Sequence, residues 1–272
     1  MIKNELFRAF ANRYFLISLG IGVTIAVAHI FQFVIPDNLE GMQYENLPSV
    51  FPNSAFSRWM GAWGYPIHPD LFYFLSPVLA TLPFGWSLCS DSKNGYLNQI
   101  YTRGRRGRYL AAKALALFVS GGTAVAVPLI VNFVGTACVL PMILPDPVGI
   151  GYFMVLPMSF LGELYFENAL LYNLAYYGII FLAGGLMALL AIPLSLPLSN
   201  KILAVFAPFA VCTLLAQFTT EGPYYSFAPT TFMRPGQDYG YLLPDQVLAF
   251  CMVVVVAAGI SCWFLSRKDY VS

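Results

Sequence analysis

Residues 114–144, ALALFVSGGTAVAVPLIVNFVGTACVLPMIL, contain no Asp, Glu, Lys or Arg. About 20 apolar residues in a helix cross the hydrocarbon core of a bilayer, so this run is long enough to span one with residues to spare. Five further uncharged apolar runs accompany it, at 14–35, 71–90, 168–198, 202–220 and 246–266. In lipid every backbone N–H and C=O has to be satisfied inside the structure, which leaves helices and closed barrels as the spanning forms. A barrel would be written in alternating strands of about ten residues. Runs of this length exclude it. The sequence therefore predicts an all-α integral membrane protein, a single transmembrane domain over 1–272 with six transmembrane helices.

Composition agrees. Charged residues make up 10% of the chain and apolar ones 58%, where a soluble domain carries about a quarter charged. A soluble fold has no way to cover that much apolar surface. Two of the runs exceed one crossing. Pro128 follows Gly121 and Gly122 in the third, and Pro193 and Pro197 close the fourth. Tilted or kinked helices are expected there, with a re-entrant hairpin in the third run as the other reading.

The charges orient the chain. Twelve of the fourteen Lys and Arg fall on one side of the six runs, in 1–13, in the 91–113 loop, at Lys201 and after 266. Only Arg58 and Arg234 fall on the other side, which holds ten of the thirteen acids. The positive-inside rule assigns the basic side, and with it both termini, to the cytoplasm. Ala26-Val27-Ala28 has the look of a signal-peptidase site, but the apolar run continues past it to Ile35, so the first span is expected to be retained.

Residues 1–13 read as an interfacial helix, with Leu6, Phe7 and Phe10 sharing a face with Ile2 and Tyr14. A short basic tail that only orients the chain is the other reading of this segment. On the opposite side, Trp59 and Trp63 are expected at headgroup level. Residues 221–245 gather Tyr224, Tyr225, Phe227 and Phe232 among prolines and glycines. That segment is too aromatic for a loose linker and is expected to fold back, either as a candidate outer gate or as an interfacial anchor.

Catalytic patterns are missing. There is no Gly-x-x-x-x-Gly-Lys-Ser/Thr loop for nucleotide phosphates, no His-Glu-x-x-His and no Gly-x-Ser-x-Gly. Ser120-Gly121-Gly122 lies inside an apolar run with no soluble domain around it. Cys89, Cys138, Cys212, Cys251 and Cys262 show neither metal nor disulfide spacing and read as small apolar residues. No enzyme activity, cofactor, metal or nucleic acid is expected. His29 is the one titratable imidazole inside a run, to be read as hydrogen-bonded packing or as a functional group. The runs lack the buried carboxylates of an ion-driven carrier.

The 91–113 loop, DSKNGYLNQIYTRGRRGRYLAAK, carries the most information. A short helix is expected from about Gly95, with Leu97, Ile100 and Tyr101 on one face, before Gly104 and Gly107 break the chain. Such a helix suits docking to another protein, while its arginines equally suit anionic lipid. Asp91, Gly95, Leu97, Ile100, Arg103, Arg108 and Lys113 fit an acidic-x-x-x-Gly-x-Leu-x-x-hydrophobic pattern followed by a basic turn and a Lys. In this loop and in topology the chain resembles the permease subunits of the type-2 ABC exporter family. Asp91 stands where that family more often has Glu, and the proline common in its turn is missing between Thr102 and Arg108.

The resemblance implies a half-transporter in a plasma membrane, of bacterial type, paired with a second permease copy or a related permease and with separate ABC ATPase subunits. The ATPase-coupling residues it implies are Asp91, Gly95, Tyr96, Leu97, Ile100, Tyr101, Arg103, Arg105, Arg106 and Arg108. An amphipathic or apolar exported substrate fits spans with so few charges. The alternatives are a non-transport membrane component, such as an immunity or assembly factor, and a secondary carrier.

Overall fold

Asn12 is where one helix stops and the next begins, and its single side chain serves both. Its Nδ2 donates to the carbonyls of Arg8 at 2.8 Å and Ala9 at 2.7 Å, so it satisfies the end of α1, Ile2–Phe10. Its Oδ1 accepts from Phe15 N at 2.9 Å and caps α2, Arg13–His29. The same Nδ2 reaches the Pro83 carbonyl at 3.2 Å. The bend between α1 and the first long helix is thus set by one residue.

The computed structural model describes residues 1–41, 53–62, 66–96, 106–145, 155–195, 200–219, 222–237 and 242–267. The described residues are largely helical, with no strand among them. Five helices are long and apolar enough to cross a membrane: Arg13–Leu39, Arg106–Val139, Ala169–Ser195, Lys201–Thr219 and Pro244–Arg267. The first contains α2, a π-helical turn Ile30–Val34 and α3, Ile35–Gly41. A short helix α4, Ala55–Arg58, follows on the far side.

The 71–90 run is not one helix. It contains most of α5, Ile67–Thr81, then a turn over 82–86, then the start of α6, Ser87–Lys93. Pro83 explains the break, since it lacks the N–H that an α-helix needs, whereas Pro77 lies inside α5, which continues to Thr81. Pro77 leaves the Tyr73 carbonyl without its helical donor, and Ser76 Oγ supplies one at 2.7 Å. Pro83 does the same to Leu79, whose carbonyl accepts from Ser18 Oγ of α2 at 2.6 Å. The interruption is thereby stitched to a neighbouring helix instead of being left open to lipid.

The third run behaves differently. Arg106–Val139 is one continuous helix, α7, with Pro128 inside it. The re-entrant hairpin does not form. At about 1.5 Å per residue its 34 residues reach roughly 50 Å, well beyond one bilayer core. After α7 come α8, Gly162–Glu167, α9, Ala169–Leu189, and α10, Ala191–Ser195. They are followed by α11, Lys201–Thr219, a 3₁₀ turn at Tyr225–Phe227, α12, Pro229–Phe232, and α13, Pro244–Arg267.

Helix α7 is the axis of the bundle, and α1, α2, α5 and α9 all pack on it. Its tightest seam is with α9, where Gly121 and Gly122 face Gly184 and Ala188. Without a hydrophobic force between helices in lipid, close backbone approach across small residues is the usual means of association. The bundle surface is apolar. Leu16, Phe31, Phe206, Phe218, Met252 and Phe264 are all exposed, as expected of a chain whose solvent is lipid.

Two local expectations are corrected. Trp59 is fully buried, with its ring edge-on to Phe133 at 5.7 Å and to Tyr177 at 5.6 Å; it is a core residue and not a headgroup anchor. Trp63 lies outside the described residues. On α1 the face turned to the protein carries Glu5 and Ala9. Leu6 and Phe10 are packed beside them, while Phe7 is 72% exposed. The helix buries a carboxylate and presents a phenyl ring outward because the partners of Glu5 lie inside.

Candidate functional site

Those partners form an ion cluster at the basic end of the bundle, drawn from three places in the chain. Helix α1 supplies Glu5 and Arg8, α6 supplies Asp91, and the first turns of α7 supply Tyr109 and Lys113. Arg8 spreads both nitrogens over Asp91, with Nη2 to Oδ1 at 2.7 Å and Nη1 to Oδ2 at 3.3 Å. Its Nη1 also donates to Glu5 Oε1 at 2.8 Å. Tyr109 Oη donates to Asp91 Oδ2 at 2.5 Å. Lys113 Nζ pairs with the same Oδ2, donates to Tyr109 Oη at 2.8 Å, and stands 3.6 Å from Glu5 Oε2.

Glu5, Asp91, Tyr109 and Lys113 are buried, while the Arg8 side chain is 33% exposed. Two carboxylates meet two cations, so the cluster is neutral as a unit, which is the condition under which charges survive burial. Burial alone would raise the Asp91 carboxyl; the hydrogen bond from Arg8 and the charge of Lys113 outweigh it and hold the group below the usual carboxylate range. Burial likewise opposes the charge on Arg8, and Asp91 and Glu5 more than restore it. Phe84 lies under both cations, 5.8 Å from Arg8 Cζ and 5.1 Å from Lys113 Nζ. The Tyr96 ring covers Arg8 at 5.1 Å.

Of the residues that the sequence marks for coupling, Leu97, Ile100, Tyr101, Arg103 and Arg105 lie outside the described residues. Asp91 and Tyr96 belong to the cluster. Gly95 stands at φ 68°, a left-handed conformation that closes α6 and favours glycine. Arg106 reaches the Ser266 carbonyl at 3.3 Å and ties α7 to the end of α13. Arg108 is exposed. The loop is therefore anchored at both ends, by Asp91 where it leaves α6 and by Arg106, Tyr109 and Lys113 where it enters α7.

No protein family, curated protein or solved structure matches this chain. Its own geometry has to carry the functional argument.

A second polar cluster lies toward the other end of the first long helix. His29 is fully buried, and its Nδ1 meets Asn132 Nδ2 of α7 at 3.1 Å. Asn132 Nδ2 also donates to the Ala26 carbonyl at 2.9 Å, and its Oδ1 accepts from Met60 N at 2.8 Å. The His68 ring stands edge-on to His29 at 5.7 Å, and His68 Nε2 meets Gln32 Oε1 at 3.0 Å. Asn132 thus pins α2, α7 and the 59–62 turn together, which makes His29 part of a packed junction. Neither histidine belongs to a cluster of three or more metal-ligating side chains among the described residues.

At the far end the aromatic segment folds back on the bundle. Phe232 is buried, Phe227 and Phe232 each stand 5.9 Å from Phe250 of α13, and Tyr225 is half-buried while Tyr224 is 65% exposed. The fold-back is held by residues the sequence reading passed over. Gln237 accepts from Phe160 N and donates to Phe160 O, both at 3.0 Å, and donates to Tyr176 Oη at 2.9 Å. Tyr172 Oη donates to the Pro235 carbonyl at 2.8 Å, and Gly236 N to the Gly61 carbonyl at 3.0 Å. Arg234 pairs with Asp70 at 2.8 Å. Gln237 adopts φ 45°, a conformation disfavoured for a side-chain-bearing residue, and its side-chain bonds, with a fourth from Leu242 N at 3.4 Å, hold it there.

Proposed function

We propose that this chain is the membrane-spanning subunit of an ATP-driven exporter, with its basic side and both termini in the cytoplasm. It crosses the plasma membrane six times, the second crossing being made in two pieces by α5 and the 82–90 segment. The observation that carries the reading is the Glu5–Arg8–Asp91–Tyr109–Lys113 cluster. A loop that receives force from a docked partner transmits it only if its ends are fixed to the moving parts. Here both ends of 91–113 are bound to each other, to the interfacial helix and to α7. From α7 a displacement passes through the glycine seam to α9, because packed interfaces shift as units.

The partners in this reading are separate ABC ATPase subunits, which supply ATP hydrolysis, and a second permease copy. The cargo is amphipathic or apolar, since the six apolar runs hold no Asp, Glu, Lys or Arg and their buried polar side chains, His29, Asn132 and Asn173 among them, carry no fixed charge.

The docking test uses Leu97→Asp and Ile100→Asp against the pair Arg105→Gln and Arg106→Gln. An unpaired charge in a small apolar contact costs several kcal/mol, enough to reduce affinity by orders of magnitude. Co-purified ATPase per inserted permease is expected to collapse in the first pair and to fall modestly in the second, where Arg105 gives up about 1 kcal/mol of headgroup attraction and Arg106 its bond to the Ser266 carbonyl. Wild-type ATPase recovery with Leu97→Asp and Ile100→Asp would remove the coupling role from this loop.

Orientation has its own test. Asn94 and Tyr224 are both exposed, on opposite ends of the bundle. In a background lacking the five native cysteines, Tyr224→Cys is expected to react with an impermeant thiol reagent on intact cells. Asn94→Cys is expected to react only after lysis. The reverse pattern would invert the orientation.

A further inference from the structure

A cavity of about 520 Å³ opens on the basic end of the bundle, between the start of α2, the 82–86 turn and the start of α11. Its mouth carries Arg13 and Lys201, the first residues of two long helices. Arg13 Cζ is held 5.2 Å over the Tyr14 ring, and Tyr14 in turn packs on Trp86 at 5.2 Å. The indole Nε1 of Trp86 is buried and has no acceptor among the described residues. Two cations and an indole ring therefore line one recess. No acidic residue among the described residues lines it.

The inner wall is of the opposite character. Leu82, Ile202 and Phe206 line it, and Phe206 sits five residues into α11, about 7.5 Å below its start at 1.5 Å per residue. Ile202 and Phe206 are also exposed on the lipid-facing surface of α11. A ligand that fits has an anionic group at one end and an apolar chain that continues along the helix.

We infer that this recess binds one anionic phospholipid from the leaflet on the basic side, its phosphate between Arg13 and Lys201 and its acyl chain against Ile202 and Phe206. Cations at the membrane surface attract anionic headgroups, and the first turn of α11 adds the positive end of a helix dipole. The bound lipid bridges α2 and α11. The inference needs no ATPase, so it stands or falls separately from the proposed function.

The experiment uses the purified full chain in an uncharged detergent. Thermal unfolding and native mass spectrometry are run with dioleoyl-phosphatidylglycerol, with dioleoyl-phosphatidylcholine and with inorganic phosphate. The anionic lipid is expected to raise the unfolding midpoint and to remain bound at one copy, while the other two do neither. The double variant Arg13→Gln and Lys201→Gln should bind it roughly thirtyfold more weakly. Both residues are exposed, so its midpoint without lipid stays that of the wild type. Lys3→Gln with Lys93→Gln removes two exposed cations outside the recess and should keep the full shift. An equal shift with phosphatidylcholine or with inorganic phosphate overturns the inference, as does an unchanged shift in the Arg13/Lys201 variant or no shift in the wild type.

Discussion

Asp91→Asn is expected to lower the unfolding midpoint of the detergent-solubilised protein by on the order of ten degrees. Asp91 accepts from Arg8, Tyr109 and Lys113, and Lys113 is buried with it. With Asn at this position, two cations are left against the single carboxylate of Glu5. Removing one partner of a buried ion pair costs about 3–5 kcal/mol, because the other charge stays buried without compensation. The cost belongs to the imbalance and not to the loss of a carboxylate as such. Adding Lys113→Met to Asp91→Asn restores neutrality, leaving Glu5 and Arg8 paired, and is expected to recover more than half of the loss. Midpoints followed by tryptophan fluorescence for the wild type, both single variants and the double variant close the cycle. If Asp91→Asn melts with the wild-type midpoint, the cluster does not hold the basic end together, and the transmission path built on it is lost.

The second large effect is expected at the α7–α9 seam. A Cβ at Gly121 would lie 2.4 Å from Ala188 Cβ, 2.8 Å from the Ala80 carbonyl oxygen and 3.1 Å from the Gly184 carbonyl oxygen. Two of the three are backbone atoms, which have no rotamer to move into. Gly121→Val would have to push α5 and α9 away from α7 together. Overpacking usually costs 1–3 kcal/mol, and at a seam of three helices about 3 kcal/mol is expected, with a lower yield of monodisperse protein. Gly178 on α9 provides the internal control, because a Cβ there meets nothing within 4 Å. Gly178→Ala is expected to be neutral or to stabilise by about 0.5–1 kcal/mol through backbone entropy. Size-exclusion profiles and melting midpoints of the two variants, side by side, test the seam. Equal behaviour would mean that α7 and α9 do not meet at Gly121.

Much of the architecture was legible because lipid imposes it. Uncharged runs long enough to span had to be helices, and five such helices are present where 14–35, 114–144, 168–198, 202–220 and 246–266 were read. The run at 71–90 shows what such reading misses. Its hydropathy is continuous, but hydropathy does not register the N–H that Pro83 lacks where α5 ends. The third run is the converse case. Pro128 lies in a comparable pattern, yet the helix continues, with α2 packed so closely that a Cβ at Gly22 would meet the Pro128 ring at 2.6 Å. A proline's local effect is known from sequence. Whether a neighbouring helix supports the distorted turn is not.

The site was legible in part for a related reason. Asp91 and the basic residues around it stood out because charges are scarce in this chain. That Asp91 turns inward to Arg8, Tyr109 and Lys113 did not stand out, since an acidic residue beside a basic loop is ordinarily solvated. By spacing Glu5 falls away from the Leu6 and Phe10 face of α1, and only the position of Lys113 makes it a buried residue. Trp59, Asn132 and Gln237 carried no periodic signal at all. The sequence by itself determined that the chain is helical, where its long apolar helices fall and on which side its positive charge collects, because solvation and charge act residue by residue along the chain. The tertiary structure alone decided which charges neutralise one another, which glycines touch and which proline breaks its helix, because those depend on atoms brought together from helices far apart in sequence.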